Sequence, residues 1–173
     1  LKRFEWSNMF SYGEDNVVNF TKLNGIVGMF APNAQGKSSL LDALSFCLFD
    51  TCSRAFKAEN VLNNKKKDFY CKVNFEIDGQ QYYIERIAKK QRRGNVKVDV
   101  DFYTIDDTGE KVSMNGDQRR TTDINIRKVI GTYDDFILTA LSSQNNNSVF
   151  IEKTQKEKKM LLAQFMGLEI FDK

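Results

Sequence analysis

An α/β fold is predicted by three observations: a Gly-Lys-Ser loop running straight into an apolar helical stretch, a long tract of two-residue alternation, and an amphipathic helical pattern late in the chain. In chain order, residues 17–20 (VVNF) and 25–30 (GIVGMF) read as short strands separated by a turn at Leu23-Asn24-Gly25. Leu40, Leu41, Leu44, Phe46, Leu48 and Phe49 then sit at mixed helical spacings, which predicts a largely buried helix from Lys37 onward. The clearest β signal covers residues 68–90. There Tyr70, Lys72, Asn74 and Glu76 alternate with Cys71, Val73, Phe75 and Ile77. Asp78-Gly79 supplies a primed hairpin turn, and Tyr82, Ile84 and Arg86 begin the return strand. Residues 96–105 alternate again and turn at Asp107-Thr108-Gly109, so an antiparallel meander is expected over 68–114. Short helices are expected over 124–130 and 134–141. A last, amphipathic one is expected over 152–168, with Met160, Leu161, Leu162, Phe165 and Met166 on its apolar side.

The bulk numbers exclude several classes. The 173 residues suffice for one domain with a real core or for one lobe of something larger, and 41% hydrophobic with 28% charged residues is ordinary for a soluble globular chain. No apolar run approaches the roughly 20 residues of a membrane span, and the opening LKRFEW lacks the apolar core of a signal peptide. Cys47, Cys52 and Cys71 show no CxxC spacing, which argues against a disulfide framework or a zinc site and for a reducing cytosol. The absence of histidine removes Ser-His and Cys-His catalysis. A net charge of +3 is too small to imply nucleic acid unless the basic residues cluster.

The loop Ala31-Pro-Asn-Ala-Gln-Gly-Lys-Ser38 carries the chemistry. A phosphate-binding loop works because successive backbone N–H groups and a helix N-terminus converge on β- and γ-phosphates. In that arrangement Lys37 supplies positive charge and the Ser38 hydroxyl binds Mg²⁺. Gly36 must stay small, because phosphate lies against its backbone. Two positions where glycine is usual hold alanine, Ala31 and Ala34. If residue 34 needs a positive φ, alanine costs about 1 kcal/mol there, which a site with many phosphate contacts absorbs.

The order of features resembles the N-terminal ATPase lobe of the SbcC/Rad-fifty family, the SMC-like ABC ATPases of DNA double-strand-break repair, a group that includes phage recombination-exonuclease subunits. WSNMFSYGEDNVVNFTKLNGIVGMFAPNAQGKSSLLDALSFCLF is similar to the family's opening strands, phosphate loop and first helix. FILTALSSQNNNSVFIEKTQKEKKMLLAQFMGLEIFDK is similar to its Q-loop segment and the helix leading into a long coiled coil. The resemblance implies a P-loop ABC-type lobe over 1–173: phosphate loop at 31–38, β meander at 68–114, Q-loop and helical segment at 122–173. It also implies nucleotide contacts from Asn33, Ala34, Gln35, Gly36, Lys37, Ser38 and Ser39, with ATP and Mg²⁺ as cofactors. Gln144 falls at the glutamine that binds Mg²⁺ or its water and senses the γ-phosphate, so Lys37 and Gln144 are the catalytic candidates and Ser38 and Gln144 the metal candidates. Asn8 and Ser11 match the opening segment. Phe10 stands where several members carry an arginine near the phosphates.

No Leu-Ser-Gly-Gly signature and no apolar run ending in Asp-Glu occurs. In the family these lie in a C-terminal lobe beyond the coiled coil, so the expectation is half an engine, binding nucleotide weakly and hydrolysing little alone. The implied partners are that C-terminal lobe, a second copy on ATP binding, an SbcD-type nuclease subunit and DNA, in the cytoplasm with the nucleoid or in a nucleus. Basic clusters at Lys65–Lys67, Lys89 to Arg93 and Arg119-Arg120 are candidate phosphate-backbone contacts. The alternative is an SMC/RecF-like DNA clamp or loader without a nuclease partner. A small-molecule kinase fits poorly, because the late segment is a Lys/Glu helix where such kinases usually have a lid with paired arginines.

Overall fold

The computed structural model describes residues 1–33, 35–55, 57–106, 108–140 and 154–165, without the side chains at 138, 160–162, 164 and 165. Two compact units result, Leu1–Gly131 and Thr132–Lys173. The first is built on one six-stranded sheet. Its strands are β1 (Arg3–Ser7), β2 (Asn16–Asn19), β3 (Asp68–Ile77), β4 (Gln80–Lys90), β5 (Val96–Ile105) and β6 (Lys111–Ser113). They lie in the order β2-β1-β3-β4-β5-β6 with every neighbour antiparallel. The meander over 68–114 therefore forms as its alternation predicts. Asp78 (φ 51°) and Gly79 (φ 82°) are both left-handed, as the primed turn between β3 and β4 requires.

Alternation decides which face is covered. Phe4 and Trp6, Phe69, Cys71, Val73 and Phe75, Ile84 and Ala88, and Val98 and Phe102 are buried. Helices α1 (Lys37–Phe49) and α3 (Arg119–Ile130) pack on that face, with the single turn α2 (Ala58–Val61) beside β5. From Ala43 to Phe49 every residue of α1 is buried, and Phe46 meets Phe69 edge-on at 5.6 Å. Arg86 shares the inward face and is fully buried. It donates to the Cys47 carbonyl and to Asp123, both at 2.8 Å, and lies 3.7 Å from Asp50. Arg119 also pairs with Asp50 and Asp123. This cluster ties the end of α1 and the start of α3 to β4. Burial among such neighbours raises the Cys71 thiol well above its usual range.

Residues 25–30 differ from their expectation. They form no strand, and Ile26 and Phe30 are 104% and 95% exposed. A strand exists only through hydrogen bonds to a neighbour, and among the described residues no strand lies beside this segment. Helix α3 starts earlier than the expected 124, since its first turn is polar and shows no apolar period. In the second unit, α4 (Tyr133–Thr139) opens with a Thr132/Asp135 capping box, and α5 (Gln155–Phe165) follows Thr154, whose N–H and hydroxyl both donate to Glu157. Leu141, Glu152, Met166 and Leu168 lie outside the described residues, as does Asp107 of the third turn.

Candidate nucleotide site

The phosphate loop ends where α1 begins. Gly36 takes a left-handed conformation (φ 85°, ψ 12°), and the first helical bond runs from Leu40 N–H to its carbonyl at 3.2 Å. The N–H groups of residues 37–39 thus belong to the unpaired first turn of a helix. No side chain caps this end and no acidic residue occupies its first turn. The Lys37 ammonium donates to the carbonyls of Ala31 (2.5 Å) and Pro32 (2.8 Å), so the charge sits at the mouth of its own loop. Ala31, Asn33, Gln35 and Ser38 are all exposed. This donor set fits a polyphosphate, and the Ser38 hydroxyl fits one ligand position of a magnesium ion whose others come from phosphate and water. Ala34 and Gln144 lie outside the described residues.

Ser39 faces inward. It is 6% exposed, and its hydroxyl accepts a 2.9 Å bond from Arg54. The same guanidinium donates to Asp42 (2.5 Å), which also receives the Ser53 hydroxyl (2.6 Å), and it lies 5.4 Å over the Phe10 ring. A half-exposed cation therefore stands beside the first turn of α1, over Phe10, the position that is arginine in several members of the resembled family. Sequence reading missed Arg54, because DTCSRAFK has no period or motif to mark it.

Gly36 is small for an additional reason. A Cβ there would stand 2.8 Å from Ser11 Oγ and 3.5 Å from the Tyr12 ring, and the Tyr12 hydroxyl donates to the Gly36 carbonyl at 2.9 Å. Asn8, also from the opening segment, is buried with φ 60°, and its amide reaches Asp68 at 3.4 Å.

Two of the three basic clusters converge. The Lys90 N–H bonds to the Lys67 carbonyl (2.8 Å), and Lys89 pairs in register with Asp68 on one side and Lys97 on the other. The hairpin tip Gln91, Arg92, Arg93, Asn95, Val96 and Lys97 surrounds an open hollow of about 620 Å³. Lys66 reaches back to Glu14 (2.5 Å), whose carboxyl that hydrogen bond holds below the usual range. In the third cluster, Arg119 is committed to Asp50 and Asp123, while Arg120 is exposed.

A family model described as AAA domain matches residues 3–173. The chain belongs to this AAA domain family. An uncharacterized protein, R555, of Acanthamoeba polyphaga mimivirus is 42% identical to this AAA domain over 99% of it and 13% of that protein. The SbcC component of the SbcCD nuclease of Clostridium acetobutylicum is 25% identical over 92% of the domain and 14% of that protein. The DNA double-strand break repair Rad50 ATPase of Methanococcus maripaludis is 25% identical over 100% of the domain and 16% of that protein. The resemblance to the SbcC/Rad-fifty group thus runs through nearly the whole domain, which spans about a sixth or less of these relatives. Among solved structures, the ATP complex of the recombination mediator RecF is similar at 24% identity and a TM-score of 0.48, over 68% of this chain and 28% of that one. Among the described residues, no helix is long and apolar enough to cross a membrane.

Proposed function

We propose that residues 1–173 are the N-terminal half of an ABC ATPase head, the ATP-binding lobe of a DNA-repair and recombination ATPase that dimerises on ATP and controls a nuclease at DNA ends. The observation that carries this reading is the first turn of α1. An uncapped, acid-free helix N-terminus, the Lys37 ammonium and the Ser38 hydroxyl meet at one loop, a donor set complementary to a polyphosphate. Lys37 and the N–H groups of the loop neutralise the β- and γ-phosphates, Asn33, Ala34 and Gln35 are further candidate nucleotide contacts, and Arg54 adds a second cation beside Phe10. Ser38 and Gln144 are the residues that would hold Mg²⁺, Gln144 directly or through its water while sensing the γ-phosphate. When bound, the metal spreads the charge that builds on the transferred phosphoryl group.

The exposed apolar run at 25–30 supports a second lobe. Ile26, Val27, Met29 and Phe30 lie open just before the phosphate loop, as a strand does when its sheet neighbours belong to another part of the protein. A C-terminal lobe reached through a coiled coil beyond 122–173 would supply them, with the carboxylate and signature motif that hydrolysis needs. Alone, the first lobe binds nucleotide weakly and turns over little. The names of the bacterial and archaeal relatives favour the nuclease-associated role and a place of action with DNA, in nucleoid or nucleus.

The decisive experiment compares wild type and Lys37→Ala in the full-length protein. ATP binding by calorimetry and ATP-dependent dimerisation by sedimentation are expected in the first and absent in the second. Nucleotide-independent sedimentation of wild type removes the reading, and failure to capture a metal-dependent nuclease turns it toward a clamp or loader.

A further inference from the structure

The phosphate loop is braced by a segment distant in the chain. Residues 8–13 form a turn in which two non-glycine residues, Asn8 (φ 60°) and Phe10 (φ 51°), are left-handed. Such a conformation persists only where the surroundings over-determine it, and it concentrates at functional sites. Here the turn is bonded on every side. Asn8 N–H reaches the Gly13 carbonyl (2.7 Å), Phe10 N–H the Val61 carbonyl (2.6 Å), Tyr12 N–H the Met9 carbonyl (2.9 Å), and Asn63 N–H the Asn8 carbonyl (2.9 Å). What the turn presents to the loop is Ser11 and Tyr12.

Tyr12 is held at three points besides its N–H. Its ring stands edge-on to Trp6 at 5.1 Å, its carbonyl accepts the Asn63 amide at 3.0 Å, and its hydroxyl donates to the Gly36 carbonyl at 2.9 Å. The last contact has a geometric consequence. The Gly36 carbonyl and the Lys37 N–H belong to one planar peptide and point in opposite directions. Fixing the carbonyl therefore fixes where the Lys37 N–H aims. The same carbonyl accepts the Leu40 N–H at 3.2 Å, the first bond of α1, and because glycine has the widest backbone freedom of any residue, the Tyr12 hydroxyl acts as a second, shorter restraint on how this peptide is turned.

We propose that Tyr12, locked by Asn63, is a positioning residue of the phosphate cradle, which orients the Gly36–Lys37 peptide for the incoming anion. The inference rests on the nucleotide-binding reading. Burial raises the Tyr12 phenol above its ordinary range, which keeps the hydroxyl a donor at any working pH.

The test uses the full-length protein with three variants, titrated with ATP and melted with and without it. Tyr12→Phe keeps the ring and removes the donor. ATP affinity should fall about threefold to tenfold, the equivalent of one net hydrogen bond. The nucleotide-free melting midpoint should fall by no more than the loss of one hydrogen bond accounts for, while the upward shift produced by ATP shrinks, and KM should rise with kcat unchanged. Asn63→Ala should weaken ATP in the same way. Trp6→Phe, which alters packing and not the hydroxyl bond, should lower the midpoint and keep the affinity. Wild-type ATP affinity in Tyr12→Phe overturns the proposal, and if that variant does not fold, wild-type affinity in Asn63→Ala does so. Absence of ATP binding in the wild type itself is a different result, which removes the nucleotide reading beneath it.

Discussion

Gly36 answers to two demands, and only one of them shows in the sequence. The loop pattern marks it as glycine for the sake of phosphate; the structure adds Ser11 Oγ, 2.8 Å from where a Cβ would stand, and a φ of 85°. Gly36→Ala should therefore cost about 1–2 kcal/mol of stability before nucleotide is considered, measured by urea unfolding. In a Ser11→Ala background the same change should cost less, because the clash is gone and only the backbone strain remains, and a strictly additive double-mutant cycle would refute that contact. Arg86 teaches a related lesson. Its place in the alternation put a charge on the inward face, and the sheet keeps it there with Asp123, Asp50 and the Cys47 carbonyl. The period was legible in the sequence. The partners were not, because they come from the end of α1 and the start of α3.

Elements with local causes were the ones read correctly. The β3–β4 hairpin follows from Asp78-Gly79 and from alternation on both sides, all within one short stretch. Helix α1 follows from its apolar density and the glycine before it. The run at 25–30 has the composition of a buried strand, yet strand is a relation between segments, and no neighbour for it lies among the described residues. Ile26→Ser combined with Phe30→Ser should thus leave the stability of residues 1–131 within about 0.5 kcal/mol, as for other exposed positions. The same pair should weaken association of residues 1–173 with the C-terminal lobe in a co-purification assay. A large loss of stability would place these side chains in this unit's own core instead.

At the scale of the whole molecule, charge is sorted into uses that composition cannot separate. Lys65–Lys67 and the hairpin from Lys89 to Lys97 join into one basic edge, and Asn63 leads from it to the turn that braces Gly36. Arg119 serves the Arg86 cluster. If the edge holds a nucleic-acid backbone, alanine at Lys65, Lys67, Arg92 and Arg93 should weaken duplex DNA binding. It should also flatten the dependence of log affinity on log salt by about 0.9 for each phosphate no longer neutralised. Arg119→Ala should instead lower the melting midpoint and leave the salt slope unchanged. Equal salt slopes in wild type and the edge variant would show that DNA does not bind along this edge.

By itself the sequence determined the α/β class, the antiparallel meander, the helix behind the Gly-Lys-Ser loop and the resemblance to the SbcC/Rad-fifty group. Each depends on neighbours in the chain or on motif spacing. Tertiary structure alone decided that Ser11 and Tyr12 close on Gly36, that Arg54 lies over Phe10, that two basic clusters are one edge and that 25–30 has no strand beside it among the described residues. Those facts join residues far apart in the chain, and a contact across such a distance exists only once the sheet between them has formed.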